Sequence, residues 1–439
     1  MEVPLVEFQG ATNLHHRGPN APLFSGSTSC GDEFSGGMPL HRTTPQLEEH
    51  EILTSTGVPQ RVYVQRGHGK LALLTYHDIG TNHTSFLGFF NHPDMRVITK
   101  HFVVYHVCAP GHHENAPNVS LDDAAASNHS QSLLVDKEGG PEKAASTVST
   151  RASHPTLPMG RAASSEVGLQ YPNLDQLAEM VTSILVHFGI DYFVGFGMGA
   201  GSNVLSRYAL HHPDNVLALF LLNPTATTHT YYQKYRCLWW DIPYLKQGVL
   251  TDYLLEQLDA HWFGYGLAEN DDILHFYHQL ARSLNPLNLA GYIRAFIDRT
   301  EINLIRPIGP AMPGEPEAPA SEPTVIKTDV CLVTGHRAVD LCRILEEMNG
   351  QMDPKKTQFL TIPDCTGMVM EEDPDKLAVD FLHFLRSIGL CWFTFCRSVQ
   401  LSASCFPELK SKNSCMQNKG LTPDWIQLRK RCLRNFSTT

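Results

Sequence analysis

The chain contains no run of about 18 consecutive apolar residues, so nothing in it reads as a membrane-spanning helix. It has no C-x-x-C pair. Its 11 cysteines are odd in number and scattered, which excludes a disulfide framework and points to reduced thiols in a cytoplasmic protein. The opening residues, Met1-Glu2-Val3-Pro4-Leu5-Val6-Glu7, carry an early acid and no apolar core, so a secretory signal peptide is not expected. Positive charge is scarce: 34 Lys and Arg stand against 45 Asp and Glu, a net of −11. That balance argues against a nucleic-acid partner and weakly against a body resting on anionic lipid. No internal repeat is evident. What remains, 42% hydrophobic and 18% charged residues in 439, suits a globular protein with one large core or two smaller ones.

The pattern divides the chain. Residues 1–47 are rich in Gly, Pro, Ser and His and read as a flexible leader. Residues 48–390 carry a folded order. Arg61–Gln65, Leu71–Tyr76, Phe102–Val107, a strand ending at Phe193-Val194-Gly195, Val216–Leu222, Val330–Gly335 and Gln358–Ile362 read as strands. Leu174, Leu177, Ala178, Val181, Ile184, Leu185 and Phe188 recur at helical spacing, with Asn173 and Gln176 placed as a capping box. A helix to about His212 and an amphipathic one over 377–385 follow. Residues 119–166 are Ala/Ser/Asp-rich and read as a disordered insertion, because they bury too little apolar surface to offset their ordering entropy. Residues 225–307 read as an aromatic-rich helical cap, and 308–323 as a Pro-rich linker. The tail, 391–439, turns basic. From residue 397 it holds eight Lys/Arg against Glu408 and Asp424, a net of +6 that leaves −17 for the rest, so it is expected to make contacts of its own or to fold back on the body. Strands alternating with helices mean a mostly parallel central sheet with helices on both faces.

The chemistry centres on a missing side chain. Gly195-Phe196-Gly197-Met198-Gly199 has the frame of the G-x-S-x-G nucleophile elbow, with Gly197 where serine belongs. The order strand, His-Asp-x-Gly turn, strand, elbow, cap, strand, strand, helix matches an α/β-hydrolase. There the acid is expected after Gly335, where the chain reads His336-Arg337, and the base in a Gly-His pair, where it reads Gly367-Met368. All three triad positions, Gly197, His336 and Met368, are thus expected to be degenerate. The backbone donors of an oxyanion hole would be the N–H groups of Ile79 and Met198. A vestigial pocket bounded by His77, Asp78, Ile79 and Met198 could still take a small anionic or apolar ligand. His336 and Arg337 read first as surface residues, and in the alternative as lining the old acid site and favouring an anion.

Other readings of the same residues are weaker. Gly195–Ala200 also fits G-x-G-x-x-A, but Asn223 stands where a ribose-binding acid is required, so no NAD or other cofactor is expected. His112-His113-Glu114 are adjacent loop residues without a partner motif, so no metal is expected. Cys108 or Asp340 would be the nucleophile of a relocated hydrolase, while Ser202 lies too deep in its helix. Ile388–Phe395, with Cys391 and Cys396, would serve a peripheral membrane contact, though packing of a helix end is the simpler reading.

Several segments together resemble the N-myc downstream-regulated (NDRG) family. They are Leu73–Gly80, Val107–Gly111, Gln170–Met180, Gly197–Gly201, Arg207–Pro213 and Leu222–Thr225. The resemblance covers roughly residues 50–390. It implies an α/β-hydrolase fold without hydrolase activity, a cytoplasmic location, protein partners, and a role in differentiation, stress response and signalling. The leader, the insertion at 119–166, the expanded 308–323 segment and a tail lacking repeated Arg/Ser/Thr segments depart from the family pattern.

Overall fold

The computed structural model describes residues 47–119, 171–227, 241–264, 270–306 and 324–390. Apart from Leu47 and Val119, the expected leader, insertion, Pro-rich linker and basic tail fall outside these ranges, as do parts of the cap.

Eight strands form one sheet in the order β1-β2-β4-β3-β5-β6-β7-β8. They are β1 (Glu48–Leu53), β2 (Pro59–Arg66), β3 (Leu71–Tyr76), β4 (Phe102–Val107), β5 (Phe193–Met198), β6 (Val216–Leu222), β7 (Asp329–Gly335) and β8 (Thr357–Ile362). β1 and β2, and β2 and β4, pair antiparallel; every later pairing is parallel. The central strands β3, β5 and β6 are buried along their whole length, which is why they read as unbroken apolar runs rather than alternating ones. β1 was not legible in the sequence. It is an edge strand in which Glu48 pairs with Arg66, and Glu49 and Glu51 both pair with Arg61, so charge replaces the usual apolar alternation.

Crossover helices cover both faces. α1 (Thr84–Phe90) follows β3, and the short α2 (Arg96–Thr99) precedes β4. α3 (Leu174–Phe188) starts in the expected capping box, Asn173 accepting from the Gln176 N–H and Gln176 returning the bond, and ends on left-handed Gly189. α4 (Ala200–His211) leads out of β5. Alternation along β5 shows the two faces directly. Phe193 stacks towards Tyr208 of α4. Phe196, pointing the other way, meets Phe86, Phe89 and Phe90 of α1 and Phe381 of the C-terminal helix.

Four helices form the described part of the cap: α5 (Ile242–Lys246), α6 (Asp252–Phe263), α7 (Asp271–Ser283) and α8 (Pro286–Ile297). After β7 come α9 (Val339–Gln351), then β8, the one-turn α10 (Val369–Glu372) and α11 (Pro374–Ser387). Tyr277 of α7 donates its hydroxyl to Glu371 Oε1, tying cap to body, while Glu371 Oε2 is buried without a hydrogen-bond partner among the described residues. Burial pushes the Glu371 carboxyl up from 4.5 to about 8, and the Tyr277 bond offsets this only in part.

The folded state therefore holds the Glu371 proton longer than the unfolded chain. Stability from this group is intact below about pH 4.5 and is lost as pH rises through about 8, with a limiting slope of about 1.4 kcal/mol per pH unit. Glu371→Gln keeps the acceptor for Tyr277 and is expected to flatten urea-unfolding stability between pH 5 and pH 8. An unchanged slope in the variant would remove Glu371 as its source.

Candidate functional site

The site lies at the carboxyl ends of β3 and β5, where an open parallel sheet leaves a crevice. β3 runs into His77-Asp78-Ile79-Gly80. β5 runs into Gly199, and Ala200 opens α4. Only one residue on that turn has the main chain of an elbow: Gly199, with φ +50° and ψ −113°. Gly197 lies inside β5 instead. A Cβ there would sit 2.7 Å from the Ser202 Cα, so Gly197 is small because α4 crosses the strand at that point. The elbow is therefore two residues further on than the sequence frame placed it. The missing nucleophile belongs to Gly199, and the donor after it is the N–H of Ala200, not of Met198.

Both oxyanion donors are already used. The N–H groups of Ile79 and Ala200 each donate to Asp78 Oδ1 at 2.8 Å. A Cβ on Gly199 would fall 2.0 Å from Asp78 Oδ2, 2.1 Å from Cγ and 2.3 Å from Oδ1. The carboxylate of Asp78 thus occupies the oxyanion hole and the space of the absent nucleophile at once. Asp78 is 1% exposed. From the cap, His261 Nε2 reaches both of its oxygens, at 3.0 Å and 2.9 Å.

The surrounding groups close the site. Trp262 Nε1 donates to the Ile79 carbonyl at 3.0 Å, and the Tyr292 hydroxyl donates to the His77 carbonyl at 3.1 Å. His77 Nε2 accepts the Ala109 N–H at 2.8 Å, which leaves the ring proton on Nδ1, donated to the Asp78 carbonyl at 2.8 Å. Burial, and secondarily His112, holds the His77 imidazole well below its usual range. His77 is therefore a neutral structural group with both nitrogens engaged. Arg299 lies buried under the cap, stacked on Phe296 and donating to the carbonyls of Phe296 and Thr227; burial pulls its guanidinium down to about 9.

Gly367, next to Met368, donates its N–H to the Phe263 carbonyl at the end of α6, one residue from Trp262. Met368 is fully buried and His336 is exposed on the turn after β7. The four residues expected to bound a ligand pocket, His77, Asp78, Ile79 and Met198, are all buried, and Asp78 is itself the occupant. An open cavity of about 740 Å³ lies elsewhere, lined by Asp271, Asp272, Arg337, Asp364, Glu372 and Lys376 among others. It is rich in carboxylates, and Arg337 stands among them, half-buried. Cys108 is buried with Sγ 3.4 Å from His83 Nδ1. Burial pushes its thiol up to about 12 and the His83 imidazole down to about 4, so the pair is a neutral thiol beside a neutral ring. Asp340 faces Arg343 on the outside of α9. Ser202 donates to the Leu222 carbonyl inside the fold. His112 is buried with Nδ1 on the Pro110 carbonyl. Among the described residues, the one His/carboxylate group close enough to share an ion is His92, Asp94 and Asp375 at the surface, where His92 Nε2 already pairs with Asp375 at 3.1 Å.

Sequence reasoning missed His261. It comes from the cap, 183 residues after Asp78, and no spacing rule connects them. The acid in His77-Asp78-Ile79-Gly80 was the available signal. A carboxylate one residue before an oxyanion donor, opposite a glycine elbow, has space and donors waiting for it.

Comparison with known proteins follows the same lines. A model of the Ndr family matches residues 49–132 and 152–392. Protein NDRG3 of Xenopus laevis is 32% identical over 349 residues, covering 78% of this chain and 76% of the relative. Protein NDRG2 of Bos taurus is 29% identical over 401 residues, covering 90% of each. Among solved structures, a thermophilic esterase from Thermogutta terrifontis superposes with a TM-score of 0.53 at 12% identity, covering 78% of this chain and 99% of its own. A hydrolase from Pseudomonas aeruginosa PA01 superposes at 0.50 and 16% identity, over 77% and 98%. These structural neighbours share the α/β-hydrolase fold.

Proposed function

The chain belongs to the Ndr family, and from that starting point we propose that it is a non-catalytic α/β-hydrolase-like protein acting by binding other proteins, as an adaptor in signalling, differentiation or stress response in the cytoplasm. One observation carries the inert part of this reading. The oxyanion hole is filled by the chain's own carboxylate, beside an elbow that bears glycine. Acyl transfer needs a nucleophile and vacant donors aimed at the developing negative oxygen. Asp78 takes the donors, and Gly199 supplies nothing to attack with. The binding part rests on what membership of the Ndr family implies, and with Asp78 filling the site at the elbow the outer surfaces are where such a partner would dock.

The competing reading is a hydrolase with a relocated nucleophile. Cys108 is disfavoured by its neutral, buried state. Asp78 is the stronger form of that reading, because a carboxylate beside an imidazole is a nucleophile–base pairing. Its oxygens are spent on two N–H groups and His261, and no face of it is open to substrate. The expected result with a fluorophosphonate probe and a panel of short-chain esters is no labelling and no turnover, with Cys108→Ala and Asp78→Asn indistinguishable from the parent. Gly197→Ser is likewise expected to remain inactive, since a side chain on that strand position faces α4. Turnover that disappears in either of the first two variants would establish the relocated enzyme instead.

A further inference from the structure

We propose that the elbow is a carboxylate-binding site, kept occupied in cis by Asp78, and that this occupancy latches cap helix α6 onto the carboxyl ends of the central strands. Three donors from three separate parts of the chain converge on one carboxylate: the Ile79 N–H after β3, the Ala200 N–H at the head of α4, and His261 on α6. α4 runs for 12 residues, so its first N–H groups present the positive end of a full helix dipole. Gly199 completes the cradle by absence, because any Cβ there would overlap the carboxylate. Charge-assisted bonds of this kind are roughly twice as strong as neutral ones, and stronger still out of water.

The cap side gives the latch. His261 and Trp262, successive residues near the end of α6, both bond to the oxyanion loop: the first to the Asp78 side chain, the second to the Ile79 carbonyl. With the carboxylate in place, α6 is tied to the loop by side chain and main chain together. With it gone, two N–H groups and an imidazole are left facing an empty, buried space, and α6 is held there by the indole bond and by the Gly367 N–H on the Phe263 carbonyl. The latch stands whether or not the protein turns over a substrate, which the fluorophosphonate experiment tests separately.

Asp78→Gly removes one acetic acid equivalent from the site, so acetate is the matching probe. In full-chain protein, amide exchange of α6 is expected to accelerate about tenfold or more in Asp78→Gly, while α3 on the body stays protected. Acetate up to about 0.1 M should restore α6 protection saturably, as a ligand bound only by the folded form does, where acetamide and chloride do not. If Asp78→Gly fails to fold alone, the same comparison is read as refolding yield with acetate against acetamide. Asp78→Asn, which keeps the volume and loses the charge, should loosen α6 in the same sense. Unaltered α6 exchange in either variant, equal loss of protection in α6 and α3 for a folded variant, or acetate no better than acetamide would overturn the proposal.

Discussion

Gly199→Ser is expected to destabilise the protein by about 3–5 kcal/mol, and by about 1–3 kcal/mol less when it is made in a chain that already carries Asp78→Gly. Two costs act on the serine. Its main chain must hold φ +50° with a Cβ attached, a conformation costing about 1–3 kcal/mol. Its Cβ must also share space with the Asp78 carboxylate, 2.0–2.3 Å from three of its atoms. Only the second cost disappears when Asp78 is trimmed. The two sites should therefore be strongly non-additive in a double-mutant cycle followed by urea unfolding, with a coupling of about 1–3 kcal/mol. Gly197→Ser is the control. Its Cβ also clashes, but with the main chain of Ser202, so Asp78→Gly should bring it no relief. Coupling at position 197 and none at 199 would return the elbow to the frame suggested by the sequence.

The second large effect belongs to Trp262. It is fully buried, its indole lies 5.4 Å from the Tyr277 ring, and its Nε1 holds the Ile79 carbonyl. Trp262→Ala removes the largest buried side chain of α6 and leaves that carbonyl without its donor. A loss of about 3–5 kcal/mol is expected from the cavity alone, with about 1–3 kcal/mol more if water cannot reach the stranded oxygen. Trp262→Phe restores much of the volume but not the bond, so it should fall between parent and alanine. A loss below about 1.5 kcal/mol for Trp262→Ala would mean that the cap can collapse onto Gly80 and that the indole is not what seals the crevice.

Much of the scaffold was legible in the sequence because it rests on local rules. The α3 capping box needs only Asn173 and Gln176 three residues apart, and the central strands announce themselves by unbroken apolar runs. The elbow motif was visible too, but not its register. Glycines at 195, 197, 199 and 201 fit the pattern in more than one frame, and only the main-chain dihedral singles out Gly199. The expected triad positions His336 and Met368 follow β7 and β8 in the expected chain order, but their exposure and burial were not legible, being set by how the turns after those strands pack. Edge strand β1 was missed because its Glu-Glu-His-Glu start carries no apolar rhythm, and its pairing is written in Arg61 and Arg66 on its neighbour.

That same acidic border has a consequence for recognition. Its outer rim offers main-chain groups flanked by Glu48, Glu49 and Glu51, so an extended peptide laid alongside would have to displace arginines or neutralise carboxylates before its amides could register. Growth of the sheet by annexing a foreign strand is thereby discouraged.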